Sequence, residues 1–294
     1  MKKWHMIIDV SLCQGCNNCF LACRDEHVGN DWPGYSHSQS QHGERWIQIP
    51  CNERGRYPHV DVAYRPTPCT HCSQAPCVSR SGGAITKRSD GLVLIDPKKA
   101  AGRRDLVDAC PYGAIVWSED SGAPQKCTLC AHLLDDGWTK PRCVQVCGPG
   151  ALSFVREDDE TFARRVAAEG LVALHAGRPG DTAVCYKNLS RFDSCFIAGS
   201  VAVSTEGVTD CAIAATVTLS KMAASAGGSA DACEGGMLQT AVTDVFGDFK
   251  FDGLDAESGD YCVEVAVAGH EPVCVPVSLG LSTSLGTILV EGDR

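Results

Sequence analysis

The chain has 294 residues, 44% hydrophobic and 21% charged, which suits two or three folded domains and excludes a fibrous or largely disordered protein. Its formal net charge of −10 argues against a nucleic-acid partner, because a phosphate backbone is bound by clustered cations. No stretch reaches the roughly 18 apolar residues of a membrane helix, and the opening MKKWHMIIDVSLC has neither a secretory apolar core nor a twin-arginine pair. A cytoplasmic location is expected, with export beside a signal-bearing partner left open.

Nineteen cysteines dominate the reading, thirteen of them within the first 150 residues. Dense C-x2-C spacing in a long chain points to metal ligation in place of a disulfide framework. Residues 1–155 form the first expected domain, with short strands at 6–9 and 92–95 among turns rich in Gly and Pro. Such a segment has little apolar core, so metal–thiolate bonds are expected to supply folding free energy.

In chain order, the first run is Cys13-x2-Cys16-x2-Cys19-x3-Cys23, the spacing that wraps three thiolates around one [4Fe–4S] cube and sends the fourth to a neighbouring cube. The second is Cys69-x2-Cys72-x4-Cys77, followed after three residues by Ser81, a poor iron ligand. The third ends in Cys110-Pro111, but Ala100, Arg103 and Leu106 fill the three positions where ligands should precede it. The fourth is Cys127-x2-Cys130-x12-Cys143-x3-Cys147.

The swap rule assigns these residues to sites. Cys13, Cys16, Cys19 and Cys147 form one quartet. Cys23, Cys127, Cys130 and Cys143 form a second, and Cys69, Cys72, Cys77 and Cys110 a third. Ser81, Ala100, Arg103 and Leu106 would together have formed a fourth, so the losses remove one whole site. The chain therefore reads as two interleaved double-ferredoxin units with three of four positions filled, carrying three [4Fe–4S] clusters.

Zinc, which also takes tetrahedral thiolates, uses two separated pairs, whereas a triple run with an x3 tail favours cubes. His71, between Cys69 and Cys72, is read as an exposed loop histidine in preference to one tuning a cluster. The seven other cysteines, Cys51, Cys185, Cys195, Cys211, Cys233, Cys262 and Cys274, are read as small buried side chains.

Residues 156–195 read as a helical or extended connector, with Phe162 and Val166 on one face of a helix over 157–169. From 196 to 294 the pattern turns to alternation, at 216–219, 249–251, 261–267 and 273–277, with a turn at 243–248. That pattern predicts an all-β sandwich of transthyretin or immunoglobulin type. The fold class is thus an α+β ferredoxin-like iron–sulfur domain followed by an all-β domain.

The four runs, with Cys110-Pro-Tyr-Gly113 and Lys126-Cys-Thr-Leu-Cys130, resemble the iron–sulfur subunits that pair with molybdopterin enzymes of the dimethyl-sulfoxide-reductase superfamily. Most such subunits fill all four sites. Further stretches, Trp32-Pro-Gly-Tyr35, Tyr64-Arg-Pro-Thr-Pro-Cys69, Ala131-His-Leu-Leu-Asp-Asp136, Tyr186-Lys-Asn-Leu189 and Phe246-Gly-Asp-Phe-Lys-Phe-Asp252, resemble the small subunits of the pyrogallol–phloroglucinol transhydroxylase type and of gut-bacterial catechol dehydroxylases. The resemblance implies an anaerobic heterodimer whose large subunit holds molybdopterin with Mo or W and acts on a polyhydroxylated ring. This chain would then carry electrons and have no catalytic residues of its own; an external donor is a possible further partner. The competing readings are a free-standing polyferredoxin and a purely structural role for the clusters.

Overall fold

The computed structural model describes residues 1–175, 181–205, 207–222 and 236–291. They divide into two compact units, Met1–Cys51 with Ala63–Leu189, and Asn52–Val62 with Ser190–Arg294.

The first unit is organised on the strand Lys3–Asp9, whose Trp4, Met6, Ile7 and Ile8 are buried. A strand apolar on both faces needs neighbours on both edges and cover above and below. It has Leu152–Glu157 antiparallel on one edge and Val184–Lys187 parallel on the other, so that Ile7 pairs with Ser153 and with Cys185. The helix Asp159–Glu169 covers it. Asp158 caps its N-terminus by accepting from the Thr161 N–H at 2.9 Å, and Gly170 ends it at φ 62°. Phe162 and Val166, one turn apart, pack with Ile7, Leu171 and Cys185.

Residues 156–195 are therefore not the connector that the sequence suggested. Most of the segment completes the sheet and small core of the first unit, and the division between units falls at 189/190. A charged helix with one narrow apolar stripe looks like a linker until the strand that needs covering is known.

The second unit contains two four-stranded sheets. One holds Val208–Cys211, Cys195–Thr205 and Asp248–Leu254, with Thr283–Glu291 parallel to Cys195–Thr205. The other is antiparallel in the order Met237–Val242, Thr216–Lys221, Gly259–Ala266, Val273–Leu279. Alternate residues of both, including Ile197, Val201, Phe249 and Phe251 from the first and Val217, Leu219, Val263 and Val265 from the second, share one core. The turn predicted at 243–248 is held by the Asp244 carboxylate, which accepts from the N–H groups of Phe246 (2.8 Å) and Asp248 (3.0 Å).

Alternation could not show that residues 52–62 belong to this unit. They come from the strands Cys51–Arg56 and His59–Tyr64, and Arg54 is the reason for their placement. Its side chain is 3% exposed and ion-pairs with Asp61 at 2.5 Å and with Asp252 at 2.8 Å. Arg191 and Lys250 also reach Asp61, at 2.9 and 3.1 Å. A buried guanidinium is tolerated only with such partners.

The expectation that the spare cysteines are buried holds for Cys185, Cys195 and Cys262. Cys51, Cys211 and Cys274 are exposed, Cys262 is disulfide-bonded, and Cys233 lies outside the described residues. Spacing reveals ligand sets, but not the exposure of a lone thiol on an alternating strand.

Burial alone would raise the Asp61 pKa, but hydrogen bonds from Arg191, Arg54 and Lys250 hold it well below the usual carboxylate range. The stability it contributes is present above its unfolded pKa of about 4 and is lost as pH falls through the folded value. Asp61→Asn is expected to cost the second unit about 1–3 kcal/mol at neutral pH by leaving Arg54 under-paired, and to flatten the acid limb of its stability profile. Thermal unfolding of the full chain between pH 3 and 7 checks both, with iron content unchanged.

Candidate metal centres

Three cavities in the first unit are each bordered by four cysteines. Cys13, Cys16, Cys19 and Cys147 line one. Cys23, Cys127, Cys130 and Cys143 line a second, and Cys69, Cys72, Cys77 and Cys110 a third, wider one. These are the groupings that the swap rule generates from spacing.

The local backbone explains how neighbouring thiols come to share a cavity. Each C-x2-C loop contains a left-handed residue: it precedes the second cysteine in three of them, Gly15 at φ 66°, His71 at φ 48° and Leu129 at φ 53°, and in the Cys16–Cys19 loop it is Asn17 at φ 61°. One such residue reverses the chain tightly enough to turn both flanking thiols to the same side. The helix Asn18–His27 then carries Cys19 to the first cavity and Cys23 to the second. Arg142–Gln145 sends Cys143 to the second, and Cys147, just past its end, returns to the first.

The thiol surroundings link neighbouring cavities. Burial pushes the Cys19 thiol up to about 11, with Cys13, Cys147 and Cys16 adding to the rise. Burial raises Cys23 well above its ordinary value, and its cysteine neighbours are Cys127, Cys130 and Cys19. Cys127, pushed up to about 11 by burial, also feels Cys69. Cys19 and Cys23 therefore join the first cavity to the second, and Cys69 and Cys127 join the second to the third.

Cys130 and Cys77, raised by burial to about 12 and about 11, complete the picture of thiols that hold their protons until a metal replaces them. Several donors point at sulfur. The N–H groups of Leu129, Ala114 and Leu152 reach Cys127, Cys110 and Cys147, each at 3.4 Å, and the Thr70 hydroxyl lies 3.3 Å from Cys72. Such bonds favour thiolate over thiol. Among the described residues no three His, Cys, Asp or Glu close on a point that one ion could occupy; each quartet surrounds a volume instead. Four thiols around a chamber, with N–H groups aimed at them, fit an iron–sulfur cube.

His71 is not the exposed loop residue expected. It is 1% exposed, and its Nδ1 accepts the Val93 N–H at 2.9 Å. Burial drives its pKa well below 6.5, with Lys126 adding to the fall, so the ring is neutral.

The four residues at the positions without ligands are also brought together. Ala100 and Leu106 are fully buried in one apolar cluster with Cys77, Ile85 and Ile115. Ser81, also fully buried, accepts the Ile85 N–H at 3.0 Å, and Arg103 donates to the Ser81 carbonyl at 3.4 Å. Arg103 points its remaining donors at Asp105.

Several residues that spacing did not single out also surround the cavities. Trp46 and Pro68 border both the second and the third. His27 lines the second, and His132, 5.4 Å from it ring to ring, bonds Glu26 at 2.9 Å. A lone aromatic or histidine carries no periodic signal, so only the tertiary structure finds these.

Fold and site together define a ferredoxin-like 4Fe–4S dicluster protein, and the 4Fe–4S dicluster domain family matches residues 60–157. The pyrogallol hydroxytransferase small subunit of Pelobacter acidigallici is 44% identical over 98% of this chain and 99% of that one. The thiosulfate reductase electron transfer subunit of Salmonella typhi is 31% identical over 61% of this chain and 89% of its own length. The arsenate respiratory reductase iron–sulfur subunit of a Shewanella species is 30% identical over 58% of this chain and 87% of its own. The chain belongs to this family of iron–sulfur electron-transfer subunits of molybdenum oxidoreductases.

A Cβ on Gly15 would lie 2.6 Å from the Tyr64 ring, on a backbone at φ 66°. Gly15→Ala is therefore expected to strain the Cys13 loop, removing up to ~4 iron atoms per chain, whereas Leu129→Gly, at the equivalent position of the fourth run, leaves the iron count intact. Iron analysis of the two purified variants makes the comparison.

Proposed function

We propose that this chain carries three [4Fe–4S] clusters on the twelve cysteines above and passes electrons along their row to or from a large molybdopterin-bearing subunit. The observation that carries the proposal is the bordering of three successive cavities by four cysteines each. The position of Ser81, Ala100, Arg103 and Leu106 is a fourth site of the same ancestry, filled by side chains. We further infer that the partner acts on a polyhydroxylated aromatic ring, as the name of the 44% identical relative suggests, and that an external donor supplies electrons. The second unit is proposed as a transthyretin- or immunoglobulin-like sandwich that docks the large subunit, and the location as cytoplasmic.

Bound cubes would supply one-electron redox chemistry, each cycling by a single charge. The chain's own residues set the conditions. The cysteines hold the metal, the left-handed loop residues fix their orientation, and the N–H donors on Cys110, Cys127 and Cys147 stabilise the added negative charge. Burial of Cys127, Cys130 and Cys143 keeps water from the middle site.

A second reading follows from the same relative: transferring a hydroxyl between rings needs no net electrons, so the clusters could act as staples alone. A dehydroxylation consumes two electrons. Purified holoprotein is expected to hold ~12 iron and ~12 sulfide per chain, and Cys110→Ser to damage the Cys69 cluster while sparing the other two. Iron near 16, or stoichiometric zinc, would sink the cluster assignment. In the complex with the large subunit, dithionite-reduced clusters should be re-oxidised on adding a catechol or pyrogallol. Clusters that stay reduced while the ring is turned over would leave the structural role standing.

A further inference from the structure

Lys126 is a buried cation with no anionic side chain to balance it. It is 3% exposed, and its ammonium donates to two backbone carbonyls, Val93 at 2.5 Å and Cys127 at 3.0 Å. Among the described residues no carboxylate pairs with it. Removing a charge from water without a counter-ion carries a heavy desolvation penalty, so its surroundings must supply negative charge of another kind.

The surroundings are two cysteine quartets. Lys126 lines the third cavity with Cys69, Cys72, Cys77 and Cys110, and its neighbour Cys127 lines the second. Lys126 does not line the first cavity.

We propose that Lys126 is the shared counter-ion of the second and third clusters, holding both reduction potentials up while leaving the first untouched. The inference rests on the cluster reading above. A cube with four thiolates carries about −2 when oxidised and about −3 when reduced, and cluster potential follows net charge and hydrogen bonding. Reduction adds one electron to the cube, with no bond made or broken. A fixed ammonium buried between two such sites is attracted more strongly to the reduced form of each. It also gives the two clusters a common electrostatic environment, so that an electron can be shared between them without a steep step in potential.

The test is a redox titration of the holo complex with its large subunit, poised with dithionite and mediators and followed by electron paramagnetic resonance. Signals are assigned beforehand with single Cys→Ser variants of each quartet. Lys126→Met should keep the wild-type iron content and move the midpoints of the second and third clusters to more negative potentials, with the Cys13 cluster unmoved. Lys126→Arg, which keeps the charge, should return both midpoints toward wild type. No shift in Lys126→Met, or an equal shift of all three clusters, overturns the proposal. If the neutral variant loses iron, loss confined to the second and third clusters with full retention in Lys126→Arg supports the counter-ion role, and loss from all three overturns it. Wild-type iron far from ~12 per chain would instead defeat the cluster reading itself.

Discussion

Four sulfur atoms from distant parts of the chain must face one small volume, and the layout of the first unit follows from meeting that requirement three times. The Cys13 cavity needs Cys147 from the other end of the unit, and the middle cavity draws Cys23 together with Cys127, Cys130 and Cys143. The pairing of Lys3–Asp9 with Leu152–Glu157 holds those two ends together. Short helices then act as bridges, each delivering one thiol to each of two cavities. The adjacency of the first and second cavities is a consequence of this exchange.

The same requirement explains what becomes of a position without thiols. An apolar void left at such a position would cost stability in proportion to its volume, at ~24 cal/mol per Å³. It cannot be left empty. Ala100 and Leu106 pack it from one side with Ile85 and Ile115, while Ser81 turns its hydroxyl to local backbone groups. On the proposed reading of a fourth site, losing all four ligands together would convert a metal chamber into ordinary core, whereas losing one would leave three buried thiols without a partner.

The second unit meets a different constraint. It has an apolar core between two sheets and a charged network around Asp61 and Arg54, and among the described residues none of its cysteines borders one of the three cavities. Its stability is therefore set by packing and ion pairing, whereas that of the first unit depends on thiols that gain a metal. Electron transfer places its own demand on the first unit alone: charge must enter and leave a region from which water is largely excluded. That demand gives a buried, otherwise unbalanced Lys126 a physical purpose.

Cysteine spacing by itself determined which thiols share a cavity, because a C-x2-C loop can close on one volume only and its x3 partner must point to the next. It also pointed to Ser81, Ala100, Arg103 and Leu106 as positions without ligands, and alternation pointed to four strands of the second unit, Thr216–Lys221, Asp248–Leu254, Gly259–Ala266 and Val273–Leu279. The tertiary structure decided the matters that depend on what lies opposite a residue. His71 is buried because Val93 offers its N–H across the unit. Residues 156–189 join the first unit because Lys3–Asp9 has two edges and two faces to cover. The segment 52–62 belongs with the second unit because Arg54 needs Asp252, almost two hundred residues away. Spacing carries information about neighbours along the chain, and only folding supplies the partners that settle burial and charge.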